Sequence, residues 1–328
     1  MSYGLTVQVL EELLPIGADV NAATVRNHLH QVAERLEGEL GEEQGMFIEG
    51  CERDWEALPR PELPLTVGID GGYVHSHKQK SRSEGWFEVI VGKSVTADGT
   101  SKRFGFVNGY DEKPKRRLFE VLKSQGMLRN QQVTFLSDGG DTVRDLQLYL
   151  NPQAEHLLDW FHVTMRITVM NQMAKGLGNK ASELRTEAHK QLERLKWFLW
   201  HSNVFKALQV IGDLDIDLDD DSCDEKQSKL LKTLREFQTY MENNASFIPN
   251  YGERYRYGET ISTAFVESTV NHVISKRMVK KQQMRWSPKG AHLLLQIRIR
   301  VLNAELRSIF HHWYSEIELS DVNPALAA

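Results

Sequence analysis

Two apolar runs in this chain stop at the same three residues, an aspartate followed by two glycines: LTVGIDGG reaches Asp70, and QVTFLSDGG reaches Asp138. A short apolar run rich in β-branched residues and closed by Asp-Gly reads as a buried strand with its end at the aspartate. In a parallel sheet such ends open on one crevice, which is where ligands bind. Two carboxylates there repel unless a cation neutralises them, and hard oxygen donors at an open site suit magnesium or manganese. One Asp-Gly pair is a common turn. Its recurrence at two strand ends points to a site.

The segments around these strands predict an α/β arrangement. WFEVIVGKSV and SKRFGFV, joined through Ala97-Asp98-Gly99, form an antiparallel hairpin. A helix is expected at EKPKRRLFEVLKSQ, near Gly126, and another at TVRDLQLYL; AEHLLDWFH reads as a strand running into a helix. That order makes the first, fourth and fifth strands parallel. Four regions follow: residues 1–58, helical; 65–162, the first part of the α/β core; 163–256, an all-helical insertion; 257–312, the last part of the core with an acidic and a basic helix. Pro59, Pro61 and Pro64 mark a linker. In the N-terminal region LTVQVLEELLP and NAATVRNHLHQVAERL suit a helix-turn-helix in which Asn21 caps the second helix and Thr24, Arg26 and Asn27 face DNA; an ordinary helical hairpin is the alternative.

With 328 residues and 41% hydrophobic content, the chain can bury a sizeable core. Cys51 and Cys223 are its two cysteines, too few for a disulfide framework or a thiolate zinc site, so a reducing cytoplasm is expected. There is no signal pattern and no apolar run of the roughly 20 residues that span a bilayer, so no membrane role is expected. The net charge of -5 does not advertise nucleic acid, but its distribution does. From Ser268 to Ala304 there is no Asp or Glu, while Lys276, Arg277, Lys280, Lys281, Arg285, Lys289, Arg298 and Arg300 lie inside. The opposite block, DLDIDLDDDSCDE from Asp213 to Glu225, reads as a solvated loop; Leu218 stands where a calcium loop needs glycine.

A third acidic group is expected from Glu267, on a helix whose 3.6-residue period places Asn271, Ile274, Met278 and Lys281 on nearly the same face. Three carboxylates suffice for two magnesium or manganese ions, which at about 3.5 to 4 Å separation stabilise both the attacking and the leaving oxygen of a phosphodiester. Asp70 would bridge both ions, with Asp138 on one and Glu267 on the other.

The phrases TVGIDGGYVHS, LSDGGD, DWFHV and AFVESTVNHVISKRMVKKQQMRWSPKGAHLLLQIR together resemble the transposases of ISKra-type insertion sequences, over a span from about Leu65 to Asn303. The resemblance implies a DDE transposase: a ribonuclease-H-like mixed sheet flanked by helices, an all-helical insertion, and metal ligands at Asp70, Asp138 and Glu267. It implies that Asp159 and His162 match an accessory Asp/Cys-x-x-His signature, with His162 catalytic. Arg277, Lys280, Lys281 and Arg285 would contact phosphates and Trp286 would stack on a base. The implied partner is double-stranded DNA, at transposon ends and target, bound by a homodimer or higher oligomer. One departure is the lack of a CxxC pair, since family members often carry a cysteine-rich N-terminal segment. Two alternatives stand beside this: a transposase-derived DNA-binding regulator, and a phosphotransferase of the actin and sugar-kinase type suggested by VGIDGG, which lacks a second glycine-rich phosphate loop here.

Overall fold

The computed structural model describes residues 2–14, 20–48, 50–59, 61, 65–77, 85–140, 144–146, 154–177, 182–219, 224–279 and 285–316. The run at Leu65 becomes strand β1 (Leu65–His75), followed by β2 (Trp86–Val95), β3 (Ser101–Val107), β4 (Val133–Ser137) and β5 (Glu155–Leu158). They form a mixed sheet in the order β3-β2-β1-β4-β5, with β1, β2 and β3 antiparallel and β1, β4 and β5 parallel. The hairpin and the three parallel strands are as the sequence predicts, and the topology is compatible with a ribonuclease-H-like fold.

Alternation along β1 sets its two faces. Leu65, Val67 and Ile69 join Ile90, Phe104, Phe106, Val133 and Phe135 in a core shared with Leu118 and Leu122 of helix α4 (Pro114–Ser124). Gly68, Asp70, Gly72 and Val74 therefore point to the other face. There Val74, Val89, Val91 and Val107 pack with Trp286 and with Val273, Ile274, Leu294 and Ile299 from the C-terminal helices.

The N-terminal helices are α1 (Tyr3–Leu13), α2 (Ala22–Glu39) and a short α3 (Glu52–Glu56). Asn21 caps α2 as expected, its side chain accepting from the backbone N–H of Ala23 and Thr24; the expected break at Gly17-Ala18-Asp19 lies outside the described residues. After β5 come α5 (Trp160–Lys175), α6 (Ser182–Trp200), α7 (Val204–Leu218), α8 (Glu225–Asn243) and α9 (Tyr251–Arg256). They bury a core of their own, with Ile167, Leu192, Leu195, Ile211, Leu214, Leu234 and Phe237 at its centre. Next are α10 (Ala264–Val270), a π-helical segment (Asn271–Val279), α11 (Pro288–Leu302) and α12 (Leu306–Trp313). Of the expected helix TVRDLQLYL, residues 144–146 are described, and they are helical. Among the described residues no helix is long and apolar enough to cross a membrane.

Two expectations are corrected here. The acidic block is not a loop from Asp213 onward: Asp213, Asp215 and Asp217 lie on α7, because Val210, Ile211, Leu214 and Leu218 between them form a buried stripe at helical spacing. Arg235 of α8 then pairs with Asp215 and Asp219, and residues 220–223 of the block lie outside the described residues. Asp70 is likewise not at the end of its strand. The chain stays extended through Gly71 and Gly72, paired with Ile90 and Val89 of β2, to His75. What ends near Asp70 is the parallel partner, since β1 pairs with β4 only from Leu65 to Gly68.

A buried guanidinium joins α2, α4 and α11. Arg117 donates from Nε to Asp111 Oδ2 at 2.9 Å, from Nη1 and Nη2 to both carboxylate oxygens of Glu37 at 3.0 and 2.7 Å, and from Nη1 to Gln296 Oε1 at 2.8 Å. His292 Nε2 lies 3.2 Å from Glu37 Oε2. Glu37, Asp111 and His292 hold ligand atoms within 4.8 Å of one another, the spacing of a metal site, but Arg117 already supplies the neutralising charge to both carboxylates. Burial alone would raise the pKa of Glu37, yet the hydrogen bonds from His292 and Arg117 outweigh it and hold the carboxyl at about 2. A folded-state pKa below the ordinary value contributes stability above pH 4.5 that is lost as the pH falls toward 2. Replacing Arg117 by Met leaves two inward carboxylates uncompensated and is expected to cost about 3 to 5 kcal/mol in urea unfolding, with a flattened acid limb. A loss below about 1 kcal/mol, the range of exposed ion pairs, would refute the hub.

Candidate active site

The strand registers place three aspartates in one row. Gly68 of β1 is opposite Leu136 of β4, and Ser137 of β4 is opposite Leu158 of β5. Carried past the last paired residues, two further steps of the first register take Asp70 to Asp138 and one further step of the second takes Asp138 to Asp159, with neighbouring strands about 5 Å apart. Asp159 keeps this register, its N–H donating to the Ser137 carbonyl at 2.8 Å. All three sit at the edge where β4 and β5 end, the C-terminal edge of the parallel strands.

The three carboxylates differ in what surrounds them. Asp138 is exposed; its Oδ1 accepts from the Gly140 N–H at 3.1 Å, and its backbone carbonyl accepts from the Tyr240 hydroxyl at 2.9 Å. The turn after it needs glycine: Gly139 has φ +88, and a Cβ there would lie 2.3 Å from Asn244 Oδ1. Asp70 is largely covered, and its Oδ1 accepts from the Gly71 N–H at 2.7 Å. Burial raises its pKa; the Gly71 N–H and His162 oppose this, while Asp138 and Asp159 add to it.

Asp159 is completely buried and fully engaged. Its Oδ1 accepts from the N–H of Phe161 and of Thr263, each at 2.9 Å, and its Oδ2 accepts from the Thr263 hydroxyl. His162 Nδ1 lies 2.6 Å from Oδ2, which fixes Nδ1 as the donor and turns Nε2 toward Asp70 Oδ1, 4.0 Å away. Burial disfavours the imidazolium, but the hydrogen bond and charge of Asp159, then Asp70 and Asp138, raise the His162 pKa. Asp159 thus serves as the anchor of His162 rather than as an open ligand.

Glu267 stands on α10, which begins just after Thr263, a partner of Asp159. That helix packs on β1 over Gly68, where a Cβ would lie 2.3 Å from Val266 Cγ2 and 2.6 Å from Phe265 Cζ. The Phe265 ring also faces Lys93 of β2, the residue opposite Gly68, so its flank of α10 is turned to β2. Glu267, about 200° further round the helix, is turned to the β4 side, one turn beyond Thr263, which bonds Asp159. Its side chain is exposed. The carboxylates of Asp70, Asp138 and Glu267 are not drawn within 4.8 Å of one another as a ligand cluster among the described residues. The donor set fits a divalent cation by its chemistry: hard oxygens from separate elements, with Asp70 carrying a pKa raised by burial and by like charge.

The basic segment is corrected. Arg277 is not a surface contact but a buried cation, 3% exposed, its Cζ 4.9 Å from the Trp286 ring and 5.1 Å from the Tyr3 ring. Trp286 is core rather than a stacking platform: it is 5% exposed and its backbone N–H and carbonyl bond His75 and His77, extending β1. The expected 3.6-residue face beyond Glu267 fails because Asn271–Val279 is π-helical, which shifts each later residue round the axis. The run of basic residues is also less segregated in space than in sequence, since Lys289 pairs with Glu34 and Arg300 with Glu305. Arg285 is exposed, Lys280 and Lys281 lie outside the described residues, and on α2 Arg26 and Asn27 are exposed with Thr24 half-buried. Sequence reasoning missed Thr263 and Tyr240; a hydroxyl four residues before Glu267 was the available signal for the first, and a contact 102 residues away gives none for the second.

No protein-family model matches the chain, and no curated protein matches it. Among solved structures it is similar to the Drosophila P element transposase strand transfer complex, with a TM-score of 0.34 and 10% identity over 90% of this chain and 98% of that one. A likeness so slight decides neither fold nor activity, which rest on the chain's own residues. In metal-free protein the His162 imidazole is expected to titrate above 6.5 and, with Asp159→Asn, below it, because burial then acts with less opposition. Imidazole NMR resonances followed against pH test this, and an unchanged midpoint in the variant would show that Asp159 does not hold the ring's charge.

Proposed function

We propose that this chain is a DDE-type transposase of the ISKra-type insertion-sequence group, cleaving and joining double-stranded DNA on a ribonuclease-H-like core. The observation that carries this reading is Asp70 on β1 beside Asp138 and Asp159, which directly follow the adjacent parallel strands β4 and β5, with His162 anchored by Asp159. A sheet edge so rich in acid does not hold a polyanion by itself. Its chemistry is that of a site completed by cations.

Asp70, Asp138 and Glu267 are the residues that would hold magnesium or manganese, two ions in all. When bound, such ions activate a water or 3'-hydroxyl and stabilise the leaving oxygen. The chain's own residues do the rest. Asp159 fixes the His162 ring with Nδ1 inward and favours the imidazolium, whose Nε2–H would donate to a non-bridging oxygen of the scissile phosphate. Gly139 and Gly140 keep side chains out of the approach beside Asp138. Arg285, with Arg26 and Asn27 of α2, supplies exposed contacts for the flanking duplex. Joining two ends calls for at least a dimer during reaction.

The test is nicking and strand transfer on DNA carrying the sequences that flank the gene, in magnesium or manganese. Asp70→Asn, Asp138→Asn and Glu267→Gln are each expected to lose about 100-fold or more, since metal-assisted charge stabilisation is worth several kcal/mol, and chelation is expected to abolish product. If Glu267→Gln cuts like the native protein while both aspartate variants fail, the third ligand is misassigned; if all three cut normally, the site is.

A further inference from the structure

We propose that Arg166 and Tyr240, both from the helices between β5 and α10, form a phosphodiester-binding pair at this edge: Arg166 grips a backbone phosphate of the DNA strand, and Tyr240 positions the Asp138 turn. This rests on the DNA-cleavage reading and names the part of the chain that receives the strand.

Arg166 lies one helical turn after His162 on α5, so the two share a flank of that helix. Helix α5 contains no Asp or Glu along WFHVTMRITVMNQMAK. Its exposed residues, Phe161, Met165, Arg166, Thr168, Val169, Gln172 and Lys175, carry two positive charges and no negative one, so nothing on this helix repels a polyanion. Arg166 is an exposed residue, and its guanidinium lies over the Tyr240 ring, Cζ 4.1 Å from the centroid. Stacking holds the planar group in place and leaves its N–H edge available for a bidentate contact with phosphate.

Arg166 also differs from two other arginines of the helical region, Arg235 and Arg254. Arg235 pairs with Asp215 and Asp219, and Arg254 with Glu155 and Glu259; Arg166 has no carboxylate partner among the described residues. Yet it stands at an acidic edge, because the charges acting on Tyr240 are those of Arg166, Asp138 and Asp159. Tyr240 links the two functions. Its ring carries Arg166 and its hydroxyl donates to the Asp138 carbonyl at 2.9 Å, and burial raises its pKa so that the hydroxyl keeps its proton.

The experiment measures binding of a fluorescein-labelled duplex with the gene-flanking sequence by anisotropy across salt, beside kcat and KM for nicking of the same DNA. Arg166→Ala is expected to raise Kd and KM about tenfold and to lower the salt slope by about one, the loss of one phosphate contact. Arg166→Lys should recover the slope but only part of the affinity, because lysine has no planar fork. Tyr240→Phe, which keeps the ring, should leave Kd within about twofold and lower kcat by about tenfold or more. Native Kd and slope in Arg166→Ala would overturn the phosphate contact, as would a fall in kcat at unchanged Kd, which would mean that Arg166 merely balances the carboxylates. An unchanged kcat in Tyr240→Phe would overturn the role at the Asp138 turn. If the native protein neither binds nor nicks DNA, the underlying reading fails and this pair with it; if it nicks and the variants match it, only the pair fails.

Discussion

The carboxylate of Asp159 ties together the end of β5, the start of α5 and the start of α10. It accepts from Phe161, His162 and Thr263, and it is wholly removed from water. A buried carboxylate is costly unless fully paired, so its hydrogen bonds leave little freedom in how the two helices meet the sheet. Everything at the candidate site follows from that: the orientation of His162, the flank on which Glu267 stands, and the side on which the helical region approaches Asp138. The residue contributes by fixing others, which is why its buried, closed environment differs so much from that of Asp70 and Asp138.

A second inward polar hub performs a similar service on the opposite side of the sheet order, far from β5. Arg117 links α2, α4 and α11 through Glu37, Asp111 and Gln296, and Gln296 continues to the carbonyl of Gly105 in β3. The two hubs have opposite sign at their centres, a carboxylate in one and a guanidinium in the other. Each is satisfied by groups from separate elements, so each specifies a relative placement that apolar packing alone would leave loose. Between them lies the close approach of α10 to β1 at Gly68, possible because no Cβ intervenes.

Much of the sheet was legible in the sequence. The strands, the hairpin turn and the parallel trio were carried by β-branched runs and by punctuation with Gly and Asp, signals that act over a few residues. The recurrence of Asp-Gly-Gly marked Asp70 and Asp138, although it misread where β1 stops: whether a glycine pair turns or stays extended depends on whether a neighbouring strand takes up its hydrogen bonds, and β2 does so here. The acidic block failed for a related reason, because Leu214 and Leu218 within it continue the buried stripe of Val210 and Ile211 into a helical core. Arg277 and Trp286 looked like DNA contacts because charge and aromaticity are visible in a sequence while burial is not.

By itself the sequence determined most of the strands and helices and singled out Asp70 and Asp138 beside glycine pairs, since those are short-range consequences of backbone sterics and apolar spacing. Only the tertiary structure decided the register that aligns Asp70, Asp138 and Asp159, the burial that makes Asp159 an anchor, and the pairing of Tyr240 with a carbonyl 102 residues distant. These depend on contacts between residues remote along the chain. The free energy of such contacts is set by which groups lose their water together, and that is decided by the packing of whole elements rather than by any local pattern of residues.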